Sequence, residues 1–359
     1  MSRKSPENAR IKRQYFEYLK AAKGYDEATV DAHADAIARF ERSTGGKPFK
    51  AFHIAQATAF RDKLHKELSK TTGKPLSKST VYQTLTAMRA FVLWLAGQPG
   101  FKRRIQYADA DYFKPSLKDA RTVSSRPERP FPTLEQVRHA ILTMQAETEI
   151  QRRDRAIVAF TLLTGARDRA TVTLQLRDVD VVECRVVQDG RHVATKFGKT
   201  IETWFSPVGA DIENIVIDWI GFLRSEKLFA ETDPLFPATL IAQDANRRFV
   251  AQGLSRRFWK SADPVRTIFR NAFERAGLRY FNPHSLRNTL TQLGERICQT
   301  PEAMKAWSQN LGHENVATTL NSYGRVAAYR QGELIRSMGA QREAETSAPA
   351  AVQHVQSVV

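Results

Sequence analysis

Apolar residues recur at helical spacing through the first hundred positions of the chain. Ile11, Tyr15 and Leu19 share one face and predict a helix over residues 8–23, stopped by Gly24. Val30, Ala34 and Ile37 repeat the pattern over 26–43, and Phe60 and Leu64 carry it over 54–68. The cluster Thr72-Gly73-Lys74-Pro75 breaks it. A fourth helix is expected over 79–96, with Val81, Leu85, Met88, Val92 and Leu95 as its stripe and Gly97 at its end. Four short helices in about 100 residues describe a small all-α module.

The periodicity then lapses. Residues 111–132 hold Pro115, Pro127, Pro130, Pro132 and the pair Ser124-Ser125, which reads as a linker. Extended, about 20 residues reach ~60 Å. Helical spacing returns at Thr133-Leu-Glu-Gln136, a capping-box pattern with Val137, Ile141 and Leu142 as the buried face, and continues through 152–164. Strands are expected at 179–182, 185–187, 192–194 and 203–205, which are rich in β-branched and aromatic residues, with Asp189-Gly190 as a hairpin turn. Helices are expected again from Asp211, and disorder in the polar, Ala-rich tail. The fold class predicted is mainly α with a small β-sheet (α+β). The division expected is a helical module over 1–110, a linker over 111–132, a second domain over 133–338 and a tail over 339–359.

Charge narrows the function. Lys and Arg number 55 against 38 Asp and Glu, a net charge of +17, which favours a polyanionic partner. Cys184 and Cys298 allow at most one disulfide and no Cys-rich metal site, which fits a reducing, cytoplasmic setting. The polar start, Met1-Ser-Arg-Lys-Ser-Pro6, has no signal-peptide core, and no apolar run approaches the ~18 residues of a membrane span. No phosphate-binding loop of the Gly-x-x-x-x-Gly-Lys-Ser/Thr type, His-Glu-x-x-His or Cys-x-x-Cys is present.

Single residues in the second domain are unremarkable alone: Arg167 after a helix-ending glycine, His284-Ser-Leu-Arg287 at i, i+3 after Pro283, Gly312-His313, and Tyr323 in Leu320-Asn-Ser-Tyr-Gly-Arg325. Their order is informative. Thr164-Gly-Ala-Arg167, then a basic β-hairpin, then His284-x-x-Arg287, then Leu311-Gly-His313, then Tyr323 resembles the tyrosine recombinase (phage integrase) family over residues 131–335. The helical module matches that family's core-binding domain in position and helix count.

The resemblance implies site-specific cutting and rejoining of double-stranded DNA through a covalent 3′-phosphotyrosyl intermediate, without metal or nucleotide cofactor. Tyr323 is the implied nucleophile, Arg167 and Arg287 the phosphate clamp, His284 the base for the phenol, and His313 a second phosphate donor or an orienter of the tyrosine. Guanidinium suits the clamp because it stays protonated and offers forked donors. Losing one such donor is expected to slow the reaction by roughly 10²–10³. The leaving 5′ oxygen needs an acid, which the family takes from a lysine on the β-hairpin. Lys199 fits the family spacing to Pro207 and is preferred over Lys196, which fits the local Thr-Lys-x-Gly-Lys pattern.

One position departs from the family. An acidic residue usually stands three positions after the first arginine, where this chain has Ala170; Asp168 is the nearby carboxylate. The stretch from Leu228 to Phe269, with Asn246-Arg-Arg-Phe and Ser255-Arg-Arg-Phe-Trp259, is longer than in compact relatives. Lys74, Lys78, Arg89, Arg103, Arg104 and Lys196 are candidate DNA-backbone contacts. A homotetramer on paired sites is expected, with the amphipathic segment Ala327 to Met338 docking on a neighbouring copy; a nucleoid-associated, mobile-element role follows. Alternatives are a type IB topoisomerase-like or resolvase activity, or an inactive DNA-binding relative.

Overall fold

The computed structural model describes residues 5–69, 72–116, 130–244, 246–313, 317, 331–333 and 335–337. Tyr323, the body of the linker and the tail lie outside the described residues. The chain divides into two compact units, residues 1–127 and 128–359.

The first unit packs four helices: α1 (Pro6–Ala21), α2 (Glu27–Ser43), α3 (Ile54–Lys66) and α4 (Lys78–Ala96). Ser5, Asp26 and Ser77 cap α1, α2 and α4 by accepting a backbone N–H from the first turn, which satisfies a donor the helix itself cannot. The stripes read from the sequence form the core. On α2 the buried set is Val30, Ala36, Ile37 and Phe40, while Ala34 is half-buried. The expected linker start at residue 111 is too early. Residues Tyr107–Phe113 form a 3-10 helix, and Phe113 is fully buried with its ring 5.6 Å from that of Phe40. Nearby prolines obscured this single aromatic anchor.

The second unit surrounds one helix. In α6 (Glu149–Thr164), every residue from Ala156 to Thr164 is buried, as expected of a helix apolar all round. Against it pack α5 (Leu134–Leu142), α7 (Ala210–Ser225), α8 (Asp263–Arg275) and α9 (Leu286–Ile297); α10 (Pro301–Asn310) packs on α9. Leu142, expected in the core, is 47% exposed because it is the last residue of α5, past the covered stretch.

A three-stranded antiparallel sheet joins β1 (Val179–Asp180), β2 (Arg185–Gln188) and β3 (Ile201–Trp204) in that order, with Val186 opposite Thr203. Two strand expectations are corrected. Residues 192–194 form no strand, and Asp189-Gly190 opens a twelve-residue connection rather than closing a two-residue hairpin. Among the helices expected from Asp211 lies a second hairpin that the sequence pattern does not predict, β4 (Thr239–Gln243) with β5 (Phe249–Leu254), inside the long stretch from Leu228 to Phe269. Its root is fixed to the first turns of α6: Glu149 accepts the Leu254 N–H at 2.9 Å, and buried Arg153 donates to Pro237 O at 3.0 Å and Thr239 Oγ1 at 2.9 Å. Among the described residues no helix is long and apolar enough to cross a membrane.

Candidate active site

The chemistry-bearing residues gather at the other end of α6. The helix stops at Gly165, whose φ of +60° lies in the left-handed region that glycine adopts without strain. A Cβ there would also stand 2.9 Å from Leu311 Cδ2 and 3.2 Å from Leu290 Cδ1, so glycine lets three segments meet. Arg167 follows in extended conformation and starts a single helical turn, Asp168–Thr171. Its guanidinium is half-buried and makes no hydrogen bond or ion pair among the described residues, and burial pushes its pKa down.

Arg287 lies in the first turn of α9 and is 6% exposed. Its Nη1 donates to Gly165 O at 2.7 Å, and its Nη2 donates to Leu311 O and to His313 Nε2, the latter at 2.7 Å. One side chain thus ties the arginine box, the His-x-x-Arg motif and the Leu-Gly-His segment together. Burial, then the charge of Arg167, pushes its pKa down to about 9, so it stays protonated at neutral pH.

Guanidinium has only donors, so His313 Nε2 must accept and its ring proton sits on Nδ1. Burial first, then the charges of Arg287 and Arg167 and the neighbouring His284 imidazole, push the His313 pKa down to about 4. His284 is exposed and stands on a 3-10 turn, Pro283–Ser285, that runs straight into α9; it is not on the helix as the i, i+3 spacing suggested. Asn282 caps that turn by accepting the Ser285 N–H at 3.1 Å.

Lys199 follows the 3-10 turn Lys196–Gly198 in the β2–β3 connection and is exposed. It lines an open cleft of about 810 Å³ together with His313, Gly312, Trp204, Ile297 and Trp307. Lys196, also exposed, is not among the residues lining that cleft. One residue missed at the sequence level closes the arrangement. Asn310 Oδ1 accepts the Trp204 N–H at 2.7 Å, its Nδ2 donates to Trp204 O at 2.9 Å, and its carbonyl accepts from Thr203 Oγ1 at 3.0 Å. This clips the strand after Lys199 to the segment that carries His313. A lone Asn at a helix end gives no sequence signal of such pairing.

Ala170 is buried in the core and offers no hydrogen bond from its side chain. Asp168 does not take over the missing carboxylate's role toward Arg167: its Oδ2 is held by Arg266 at 3.0 Å and its Oδ1 accepts the Arg169 N–H. The site is therefore rich in cationic and donor groups, and burial works against the charge of both arginines, an arrangement suited to receiving an anion.

The remaining candidates lie in the first unit. Lys74, in the turn between α3 and α4, and Lys78, the first residue of α4, are exposed, as are Arg103 and Arg104 in the turn after Phe101. Arg89 is half-buried and already paired, with Nε and Nη2 at 3.2 and 3.0 Å from Asp111 Oδ1.

The phage integrase family model matches residues 133–330. Among solved structures, the integrase of transposon Tn1549 in complex with transposon right end DNA is 16% identical, with a TM-score of 0.60, covering 91% of this chain and 98% of that one. The lambda integrase dimer bound to a COC′ core site is 14% identical, with a TM-score of 0.55, covering 89% of this chain and 78% of that one. XerH recombinase bound to difH is 14% identical, also at 0.55, covering 90% and 84%. At these identities the likeness is one of fold. No curated protein matches the chain in sequence.

Proposed function

The chain belongs to the phage integrase family, a site-specific tyrosine recombinase that cuts and rejoins DNA, and from that premise we propose the roles of its residues. Arg167 and Arg287 hold the non-bridging oxygens of the scissile phosphate. Tyr323 Oη attacks phosphorus while His284 takes the phenolic proton. The P–O5′ bond breaks as the P–Oη bond forms, and Lys199 gives a proton to the departing 5′ oxygen. The 3′-phosphotyrosyl ester keeps the energy of the broken bond, so the 5′ hydroxyl of a second strand reverses the step. Free phenol titrates near 10, as an approximate value, which is why the proton must leave in the transition state.

The observation that carries this reading is the three-way anchoring of Arg287 beside Arg167. Two cations brought together against burial, with hydrogen-bond donors fixed before substrate arrives, supply electrostatic stabilisation without rearrangement. Lys199 is favoured over Lys196 because it shares a cleft with His313. In the first unit, Lys74, Lys78, Arg103 and Arg104 serve as backbone contacts to duplex DNA, and Arg89 joins them by leaving Asp111. The working species is a homotetramer on two sites. The cleft beside His313, apolar at Ile297, Trp204 and Trp307, receives residues 327–338 of a neighbouring copy.

Nicked suicide duplexes bearing a site selected by the full chain from a random-sequence pool test both ideas. The native chain traps a covalent protein–DNA adduct and Tyr323→Phe does not; an adduct with the Phe variant rules out Tyr323 as nucleophile. A chain ended at residue 325 still forms the adduct but loses the paired-site complex. Unchanged pairing would remove the tail from the assembly.

A further inference from the structure

The connection that carries Lys199, residues 189–200, is bound along its length. His192 Nε2 lies 2.9 and 3.1 Å from the two carboxylate oxygens of Asp178, whose side chain is 5% exposed. Val193 is buried, and the Ala194 N–H donates to Thr173 Oγ1 at 2.8 Å. Thr195 Oγ1 donates to Lys199 O at 2.6 Å, and the Gly190 N–H donates to Thr200 Oγ1 at 3.3 Å.

The tightest approach is at Gly190. A Cβ built there would stand 2.0 Å from Gly198 O, 2.5 Å from Gly198 C and 3.1 Å from Lys199 C. These are backbone atoms, so a side chain at 190 fits only if the Gly198–Lys199 peptide moves. Gly190 is not among the residues with positive φ. The need for glycine therefore comes from close approach alone.

We propose that Gly190, with the His192–Asp178 pair, positions Lys199 for proton transfer to the leaving 5′ oxygen. This rests on Lys199 as the general acid. Such an acid must lie within about 3 Å of the atom it protonates, and a displacement of about 1 Å costs on the order of 10² in rate. Neither Gly190 nor His192 touches substrate in this scheme; both act through the peptide that bears the lysine.

A bridging-sulfur substrate separates positioning from general damage. A thiolate, with a pKa near 8.5 as an approximate value, departs without a proton, whereas an alkoxide does not. Single-turnover cleavage is measured on the nicked duplex with oxygen or sulfur at the scissile 5′ bridge. Lys199→Ala and Gly190→Ala are expected to fall about 10²-fold on oxygen and to return to within about threefold of the native rate on sulfur. His192→Ala shows a smaller loss with the same rescue, and His192→Gln, which keeps a donor for Asp178, recovers most of it. Arg287→Ala stays slow on both substrates.

Equal slowing of Gly190→Ala on oxygen and sulfur, or no slowing, overturns the proposal. Failure of sulfur to rescue Lys199→Ala removes the general-acid assignment itself, a result read from a different variant. Thermal midpoints are recorded for all variants. If Gly190→Ala does not fold, the His192 variants decide, and absence of sulfur rescue there overturns the proposal.

Discussion

At the scale of the residue, His313 is a strongly perturbed group in the site. Its imidazole is pushed from about 6.5 down to about 4 by burial and by the arginines beside it, so the folded chain holds it neutral. Unfolding restores the ordinary value. Between these two limits the unfolded chain binds the extra proton, so the stability that this group contributes is complete above about 6.5 and is lost as the pH falls toward 4. His313→Gln removes that dependence. Thermal midpoints taken from pH 7.5 to 4.5 should converge for the two proteins as the pH falls; parallel curves would show that His313 does not titrate this way.

At the scale of the element, β3 lies at the edge of its sheet, and the side chain of Asn310 pairs with Trp204 as a further strand would. Asn310→Ala leaves both backbone groups of Trp204 to water, while the carbonyl of residue 310 still accepts from Thr203 Oγ1. Two such bonds contribute about 1–3 kcal/mol together, toward the lower figure because Trp204 is half exposed. Urea unfolding should register that loss, with Asn310→Asp intermediate because it keeps the acceptor and loses the donor. Native stability in both variants would show that the pairing adds nothing. The catalytic cost should exceed the stability cost, since the clip joins the Lys199 strand to the His313 segment.

At the scale of the whole molecule, the helices and the ordered series of motifs were legible in the sequence because they rest on periodicity and spacing. Tyr15 and Leu85 sit where their stripes put them. What escaped has physical reasons. Phe113 is a lone anchor with no periodic partners. The hairpin of β4 and β5 exposes Ile241, Phe249 and Val250, so no alternation of buried and open positions marks it. His192 to Ala194 has strand-like composition, but the chain there is held by side-chain bonds and one buried valine. The convergence of Arg167, Arg287 and His313 followed from motif order, while the contacts that hold it, made by Gly165, Asn310 and two carbonyls, depend on folded geometry that no local pattern encodes.

Thr289 lies on α9 two residues after Arg287, is 2% exposed, and donates to Pro132 O at 2.6 Å. That bond sets the boundary at which the second unit can be produced alone. A recombinant fragment that begins at Thr133 lacks the acceptor and leaves a buried hydroxyl of α9 unsatisfied, a loss of about 1–3 kcal/mol. One that begins at Glu128 keeps it, and calorimetry of the two should show the longer fragment melting higher. Pro132, read from the sequence as linker, thus packs with the second unit.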